Sequence, residues 1–393
     1  MADFTFGDLK KTYENFLEPK ISLNIGGEKL GADSGLGVVG AEIEQTSGFE
    51  ASIATVQLSG SFNNDLRSFD ISKTKKFLYM GSTIIIYMGY ALSMREVFRG
   101  FIARVHFIIP DGNTNDIPGI ELTCMDVKGL MMAGRHSKRL KAKYYSDAVK
   151  EVLSTNPYIM QKDGSGKDFV KLNISNTPDK PAQSADGGAG AAADQATTDK
   201  RVEMVEESDY DFVVKAAKKY NFDFFMIGDT LYFIEAKKNT TPLIELSPGM
   251  GLNSIDVGYD ITGLTKTVEV RNIDMDQGKY IGSRKKSNSR ISMGNVAKPL
   301  IEKQTLVYLD PTTDSKTDAG YRADYLLESI NYRLGSIEAS FVGLPELTAG
   351  RFIKTKGFGQ PLDNSFYLTT VRHILDDGFY TTRLEGCASS IEK

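Results

Sequence analysis

The sequence contains one glycine pattern that could bind a nucleotide. Residues 35–40, GLGVVG, have the spacing G-x-G-x-x-G, which is typical of dinucleotide-binding turns. Such a turn holds a pyrophosphate only where a strand precedes it and a helix begins in it. The segment that follows, residues 41–58, alternates as strands do and contains a further glycine. We therefore assign these glycines to turns and close strand packing, and expect no cofactor.

A cluster of carboxylates could suggest a hydrolase that cleaves cell-wall glycans. Glu206, Glu207, Asp209 and Asp211 lie together, but a glycosidase needs two carboxyl groups set across a cleft, which adjacency in sequence does not establish. Acidic residues before and within the first turn of a helix are better explained by capping and by the helix dipole. We expect no catalytic residue in this cluster.

The histidines and cysteines show no catalytic or metal-binding arrangement. Cys124 and Cys387 are too few and too far apart for a disulfide framework, and they have no metal-ligand spacing with His106, His136 or His373. The sequence also lacks the G-x-S-x-G, H-E-x-x-H and P-loop patterns. We predict a protein that is not an enzyme, with no metal site, with reduced thiols, and with histidines that pack or make surface hydrogen bonds.

Composition places the chain among globular proteins of two or three domains. It has 393 residues, 41% hydrophobic and 25% charged, and its formal net charge of −4 argues against a protein that mainly coats nucleic acid. The N-terminus lacks the pattern of a secretory signal, and the strongest apolar run, residues 84–88, is far too short to span a membrane. We expect synthesis in the cytoplasm, no membrane span, and exit by lysis or within a particle.

Two further features admit both an ordinary and a functional interpretation. Residues 135–143, RHSKRLKAK, include five Lys or Arg, which favours a solvated linker over a patch for an acidic neighbour or nucleic acid. The 18 Tyr and 21 Phe could stack on sugars or single strands, but aromatics interleaved with Val and Ile at strand spacing are more often core.

The clearest secondary structure lies in residues 208–236. Ser208 is a helix N-cap, Asp211 is at the third helical position and can pair with Lys215, and Gly228-Asp229 separates two aromatic strands as a hairpin loop. The pattern predicts a helix, a strand, a tight turn and a strand. The face expected to be buried comprises Tyr210, Val213, Val214, Ala217 and Tyr220.

The rest of the chain predicts a mainly β, α+β fold with three domains. Residues 1–128 form a β-barrel after a short helix that Pro19 stops, and residues 129–261 form an α/β domain with a helix from 144 to about 153 and a flexible insertion at 178–200. Residues 262–393 form a second β-barrel with an inserted helix at 316–334. The expected strands are 21–25, 41–58, 77–90, 96–109, 119–125, 267–272, 366–375 and 379–384.

Four further features are expected in this last domain. Residues 283–287, SRKKS, are expected to form a basic loop that leaves the sheet, and Gly335 is expected to cap the inserted helix. Asp377-Gly378 predicts a hairpin. The buried face of the inserted helix is expected to carry Tyr321, Tyr325, Leu326, Ser329 and Tyr332.

Three stretches resemble one family in the same order along the chain. They are residues 208–233, residues 343–386, and residues 97–107 with the following LTCMDVKGLM. Their pattern is similar to that of the phage late control protein D family, which includes baseplate hubs of contractile tails and the N-terminal hub part of type VI secretion spike proteins. The resemblance implies two similar β-barrels per chain and a homotrimeric ring of six barrels that joins a hexameric tail tube to a trimeric spike.

The resemblance therefore predicts a structural baseplate hub. Its expected partners are the tail tube protein, a separate spike protein and other baseplate proteins, with DNA, tape-measure protein or an effector in the channel. The particle could be a phage tail, a phage-like bacteriocin (tailocin) or an extracellular injection system. Two alternatives remain open: a β-rich binding module such as an adhesin or carbohydrate-binding protein, and a cell-wall hydrolase of a tail tip.

Overall fold

The computed structural model describes residues 2–72, 74–91, 93–111, 118–180, 202–274, 278–286, 297–313 and 315–391. Most of the predicted flexible insertion, residues 181–200, lies outside the described residues, as does Ser287 of the predicted basic loop.

The first third of the chain consists of strands after one short helix. Helix α1 (Phe6–Thr12) begins at Thr5, whose side chain accepts a hydrogen bond from the Asp8 amide, and a single 3-10 turn separates it from Pro19. The strands follow the alternation seen in the sequence. They are β1 (Pro19–Ile25), β2 (Glu28–Lys29), β3 (Gly37–Thr46), β4 (Ile53–Ser59), β5 (Phe62–Asn63), β6 (Ser68–Phe69), β7 (Thr83–Tyr90), β8 (Ser93–Ile108) and β9 (Gly119–Met125).

The middle of the chain mixes helices with short strands. The predicted helix and hairpin of residues 208–236 are confirmed: Ser208 accepts a hydrogen bond from the Asp211 amide, Asn221 ends the helix in the left-handed conformation, and Gly228 turns the hairpin. The elements are α2 (Val127–Met131), β10 (His136–Arg139), α3 (Tyr145–Thr155), β11 (Lys171–Ile174), β12 (Glu203–Glu207), α4 (Asp209–Tyr220), β13 (Phe222–Ile227) and β14 (Thr230–Glu235).

The last part of the chain returns to strands around one long helix. Its hairpin at Asp377-Gly378 is confirmed. The elements are β15 (Pro242–Leu246), β16 (Leu252–Tyr259), β17 (Thr267–Asp274), β18 (Lys279–Lys286), α5 (Ala297–Glu302), β19 (Thr305–Leu309), α6 (Lys316–Asn331), β20 (Gly335–Val342), β21 (Phe352–Thr355), β22 (Ser365–Asp376) and β23 (Phe379–Ala388).

Three local predictions for this part were wrong. Residues 283–286 do not leave the sheet but lie in β18, paired with β17. Helix α6 ends at Asn331, so Gly335 opens β20 and does not cap the helix. The buried face of α6 comprises small and aliphatic residues, Ala319, Gly320, Ala323, Leu327 and Ile330, whereas Ser329 is exposed. Close packing against a sheet favours alanine and glycine, which a search for large apolar residues overlooks.

One large sheet joins the two ends of the chain. Its strands follow the order β16-β20-β23-β22-β3-β4-β9-β8-β7-β1-β2, and the antiparallel pair β3 and β22 connects the N-terminal strands to the C-terminal ones. No pairing among the described residues joins β16 to β2, so the path of strands is open. One core lies behind both halves of this sheet and includes Leu23, Ile43, Val56, Leu122, Phe341, Val371 and Leu384.

Two smaller units pack beside the large sheet. In the first, α3 and α4 cover the sheet β11-β14-β13, and the core they share also includes Ile85 and Phe101 from β7 and β8. In the second, α6 packs on one face of the sheet β18-β17-β19, which we call the small sheet. The architecture confirms the predicted α+β, mainly β fold class.

Candidate functional site

The glycine-rich segment does not form a nucleotide site. Gly37 and Gly40 lie within β3, and Gly35, with φ +72°, turns the chain before the strand. No helix opens from the segment, so the helix N-terminus that a pyrophosphate requires is missing there. The structural role predicted for these glycines is confirmed.

The carboxylate cluster serves the start of α4. Asp209 accepts a hydrogen bond from Asn156 at 2.7 Å and lies 3.2 Å from His136, while Glu207 contacts Lys215. The predicted pair of Asp211 with Lys215 is therefore wrong, because Lys215 instead contacts Glu207 at the end of β12, just before the N-cap. Asp209 and Asp211 lie in the first turn of α4, where the helix dipole favours carboxylates, as predicted from the sequence.

The basic segment, residues 135–143, lies beside an acidic strand of the same chain. Strand β10, HSKR, pairs with strand β12, EMVEE, and the Arg139 guanidinium lies 3.7 Å from Glu203. Part of the charge of residues 135–143 is thus balanced within the molecule. The segment is a strand of the middle region and not a free linker.

His373 is the one fully buried histidine. Its Nε2 atom donates to the Leu347 carbonyl at 3.1 Å, and its Nδ1 atom accepts from the Tyr380 hydroxyl at 2.9 Å. Burial lowers the pKa of His373 to about 4, so the ring is neutral near pH 7. His373 therefore packs on the core side of β22, in agreement with the packing role predicted from the sequence.

The outward side of the large sheet presents a mainly polar surface. In β3, β4, β22 and β23 the residues that alternate with the core positions point to this side, which we call the polar face. The face continues onto β16, β20 and β9. Its charged residues are Glu42, Glu44, Arg104, Glu121, Asp256, Glu338, Arg372, Arg383 and Glu385.

Ion pairs tie the polar face together across the junction of the two chain ends. Arg372 of β22 donates to Glu44 of β3 at 2.7 Å and to Glu385 of β23 at 2.6 Å. Further along, Arg104 donates to Glu121 at 3.0 Å. Six carboxylates and three arginines give the face a net charge of −3 by count. A surface of this kind stays hydrated and repels polyanions.

Sequence reasoning did not find this face, because its two halves are more than 300 residues apart in the chain. The register that unites them places Glu44 opposite Arg372 and Ile43 opposite His373. The available signal was the alternation AEIEQ in residues 41–45 and TVRHIL in residues 370–375, each with one polar and one core side. Alternation identifies a strand with one solvent-exposed face but does not show which other strand pairs with it.

The described residues offer little for metal chemistry or membrane insertion. Among them, no group of three or more His, Cys, Asp or Glu side chains is placed to hold a metal ion. Cys124 is buried, Cys387 is half-buried, and both are free thiols. No helix within the described ranges is long and apolar enough to cross a membrane.

Comparison with solved structures relates this fold to tail proteins. No protein-family model matches the sequence, and no curated protein is significantly similar to it. A tail protein from Neisseria meningitidis MC58 matches with a TM-score of 0.63 and 12% identity, covering 94% of this chain and 96% of that chain. The 43 kDa tail protein of prophage MuSo2 from Shewanella oneidensis matches with a TM-score of 0.63 and 10% identity, covering 94% and 98%.

A third matching structure is that of a type VI secretion component. The E. coli c3393 protein, described as a component of the type VI secretion system with structural similarity to the T4 tail proteins gp27 and gp5, has a TM-score of 0.54 and 12% identity. The alignment covers 94% of this chain and 78% of that one. The resemblance to tail proteins expected from the sequence is thus confirmed at the level of the fold, which this chain shares with two tail proteins and with a type VI secretion component.

Proposed function

We propose that this protein is a non-enzymatic baseplate hub of a contractile tail or injection system. In this proposal three copies form a ring that adapts a hexameric tail tube to a trimeric spike. The ring would bind the tube protein on one side and a separate spike protein on the other. The observation that carries the proposal is the fold, which matches two tail proteins over 94% of this chain and nearly their whole length.

The polar face gives the ring a channel wall. A tube through which DNA or protein passes needs a lining that water wets and that cargo does not stick to. The polar face is wide, because it crosses both ends of the chain, and two of its three arginines, Arg104 and Arg372, are held in ion pairs with carboxylates. Its surplus of carboxylates would repel a nucleic acid backbone and keep cargo mobile.

The domain organisation expected from the sequence belongs to the same proposal. Residues 1–128 and 262–393 would act as two barrel-like units flanking residues 129–261, and three chains would supply six such units. The shared sheet and core of the two ranges would then fix the angle between neighbouring units within one chain. An obligate ring would need subunit interfaces larger than about 2,000 Å².

The first test is the assembly itself. The chain is purified alone and with its candidate spike, its mass is measured by light scattering, and its shape is imaged by negative stain. Hollow trimers of nearly six-fold appearance are expected. A compact monomer under both conditions would overturn the hub proposal and favour a binding module.

A second measurement locates the channel wall. Gln57→Cys places an accessible thiol on the polar face, and Lys11→Cys places one on the exposed side of α1. Both variants also carry Cys387→Ala, because Cys387 is only half-buried, and both are labelled with maleimide gold, for which the buried Cys124 is not accessible. Gold is expected in the lumen for Gln57→Cys and outside it for Lys11→Cys. Lumen density for Lys11→Cys alone would contradict the assignment of the polar face.

A further inference from the structure

The small sheet has an edge strand whose residues are all exposed. Strand β19 pairs with β17 on one side and has no strand partner on the other among the residues that the structure describes. Its sequence, TLVYL, is strongly apolar, and Leu309 is 74% exposed. Free edge strands of this length and hydrophobicity are normally paired, covered or charged, because they attract other strands.

The two sides of β19 differ in their surroundings. The register with β17 places Leu306 and Tyr308 beside Val268 and Val270, whose side chains pack under α6. Thr305, Val307 and Leu309 therefore point to the opposite face of the sheet. On that face Val307 lies beside Glu269 and Leu309 beside Arg271, and two other exposed apolar side chains, Ile273 of β17 and Tyr280 of β18, follow beyond Leu309. A strand added to β19 would meet apolar surface on this side.

The α6 side of β19 opens into a cationic cleft. Tyr308 lines a cleft of about 530 Å³ together with Lys215, Lys218 and Lys219 of α4 and Arg322 of α6. Two carboxylates, Asp211 and Asp310, also line it, so the lining carries four cations and two anions. A strand added to β19 would present its alternate side chains toward this excess of positive charge.

Lys218 is the cation in the cleft best placed to take a new partner. Lys215 contacts Glu207, Lys219 lies 3.6 Å from Asp318, and Arg322 donates to Asp310 at 2.8 Å. Lys218 instead lies over the Phe49 ring, 5.2 Å from its centroid, with no carboxylate within 4 Å in the described ranges. An incoming carboxylate could therefore pair with Lys218 without displacing an existing ion pair.

We propose that β19 is a docking edge for an extended segment of another protein, in which acidic and aliphatic side chains alternate. Backbone hydrogen bonds to β19 would hold the segment, its aliphatic side chains would cover Val307 and Leu309, and its carboxylates would face Lys218. Pairing of β19 with its own copy is disfavoured, because that contact is two-fold and would bring two cationic clefts together. A ring with three-fold symmetry also contains no two-fold contact of this kind between its subunits.

The experiment uses a defined peptide and the full-length chain. A fluorescent peptide of about ten residues with alternating Glu and Val, blocked at both ends, is titrated with the protein and followed by anisotropy. A matched peptide with Lys in place of Glu tests the charge requirement. We expect the Lys peptide to bind at least about tenfold more weakly. Equal binding of both peptides, or binding of neither, would overturn the proposal.

Variants identify the surface that the peptide uses. Val307→Glu with Leu309→Glu is expected to weaken binding at least about tenfold, because carboxylates would replace the apolar contacts. Lys218→Glu is expected to weaken binding of the Glu peptide and to improve binding of the Lys peptide. Val39→Glu, at a strand residue 52% exposed in β3, is the matched control and should bind like the wild type. Unchanged binding by the β19 variant would overturn the proposal.

Two further measurements separate this inference from the proposed ring. Hydrogen exchange should show that the peptide slows amide exchange in Thr305–Leu309. Light scattering of the β19 variant should give the same mass as the wild type; a loss of assembly would instead assign β19 to a contact between copies and overturn the proposal. Peptide binding by a wild-type chain that does not trimerise would support the docking edge and count only against the ring.

Discussion

The large and small sheets each carry a charged cluster at the centre of an exposed face, yet their surroundings differ. On the large sheet Arg372 lies between Glu44 and Glu385, and on the small sheet Glu269 accepts hydrogen bonds from Arg271 and Arg284, both at 2.7 Å. These arginines hold the pKa of Glu269 at about 2. Around the first cluster the neighbours on the same face are polar apart from Ile53 and Ile374. Around the second they include Ile273, Tyr280, Val307 and Leu309.

This difference indicates that the two faces have different surroundings once all contacts of the protein have formed. Apolar area left in water costs about 25 cal/mol per Å² relative to burial, so a concentrated apolar patch marks a surface that another molecule covers. Among the described residues, seven of the 22 exposed large hydrophobic side chains lie between residues 273 and 309. The presence of an ion pair therefore does not show whether a β-sheet face stays in contact with water. The side chains around the ion pair do show it. We infer water against the polar face and protein against the small sheet.

The largest expected effect is on stability. It tests whether a tightly packed core lies behind the polar face. Phe341 of β20 is fully buried behind that face, and Phe341→Ala should lower the free energy of unfolding by about 3–5 kcal/mol. Val307→Ala, on the uncovered face of the small sheet, should change it by less than about 0.5 kcal/mol. Urea unfolding followed by circular dichroism gives both values.

Phe379→Ala is the control for removing an aromatic ring. Phe379 is 75% exposed at the tip of the β22–β23 hairpin, so its loss should cost little. A cost for Val307→Ala as large as that for Phe341→Ala would mean that the small sheet is not an open surface in the free chain.

A smaller effect depends on the protonation of a histidine and is absent from the small sheet, since residues 262–334 contain no histidine. Folded His373 has a pKa of about 4, below its ordinary value of 6.5. The unfolded chain therefore binds a proton below about pH 6.5 while the folded chain stays neutral, so this contribution is complete above pH 6.5 and is lost as the pH falls toward 4. The loss amounts to about 3 kcal/mol in total.

His373→Gln isolates this contribution. Glutamine can still donate to the Leu347 carbonyl but does not titrate, so the stability advantage of the wild type over the variant should shrink as the pH falls from 7 to 4. His106→Gln, at an exposed position of β8, is the control for replacing a histidine outside the core. A constant difference for His373→Gln would show that the buried ring is not what makes the fold acid-sensitive.

The sequence predicted most of the elements that have strong local signals. The cap at Ser208 and the turns at Gly228 and Gly378 determine helix and hairpin boundaries through a few neighbouring residues, and each is confirmed. The buried face of α4 was predicted only in part, because Phe212 and Ala216 are buried as well. Both lie where α4 meets other elements, which the helix period alone does not reveal.

The candidate surfaces could be predicted much less well, since both depend on long-range pairing. The polar face exists because β3 pairs with β22, and alternation in each strand leaves the partner undetermined. Strand β19 was not predicted at all, because TLVYL between polar segments is too short to distinguish a buried strand from an edge. The two-barrel organisation and the trimeric ring remain predictions.

The smallest expected effect concerns the charged cluster of the polar face itself. Arg372 is about one-third exposed, and each of its two carboxylate partners is about two-fifths exposed, so water screens both pairs. Arg372→Gln should therefore lower the free energy of unfolding by only about 1 kcal/mol in dilute salt. The difference should nearly vanish near 1 M salt, where the screening length is about 3 Å.

The same substitution separates stability from assembly. If the polar face lines a water-filled channel, Arg372 contacts no other subunit, and Arg372→Gln should leave the mass of the assembled ring unchanged by light scattering. Thr123→Gln, a polar replacement on β9 of the same face, is the matched control that breaks no ion pair. If Arg372→Gln dissociated the ring while Thr123→Gln did not, Arg372 would lie at a subunit contact. The polar face would then be a buried interface, and the contrast with the small sheet would fail.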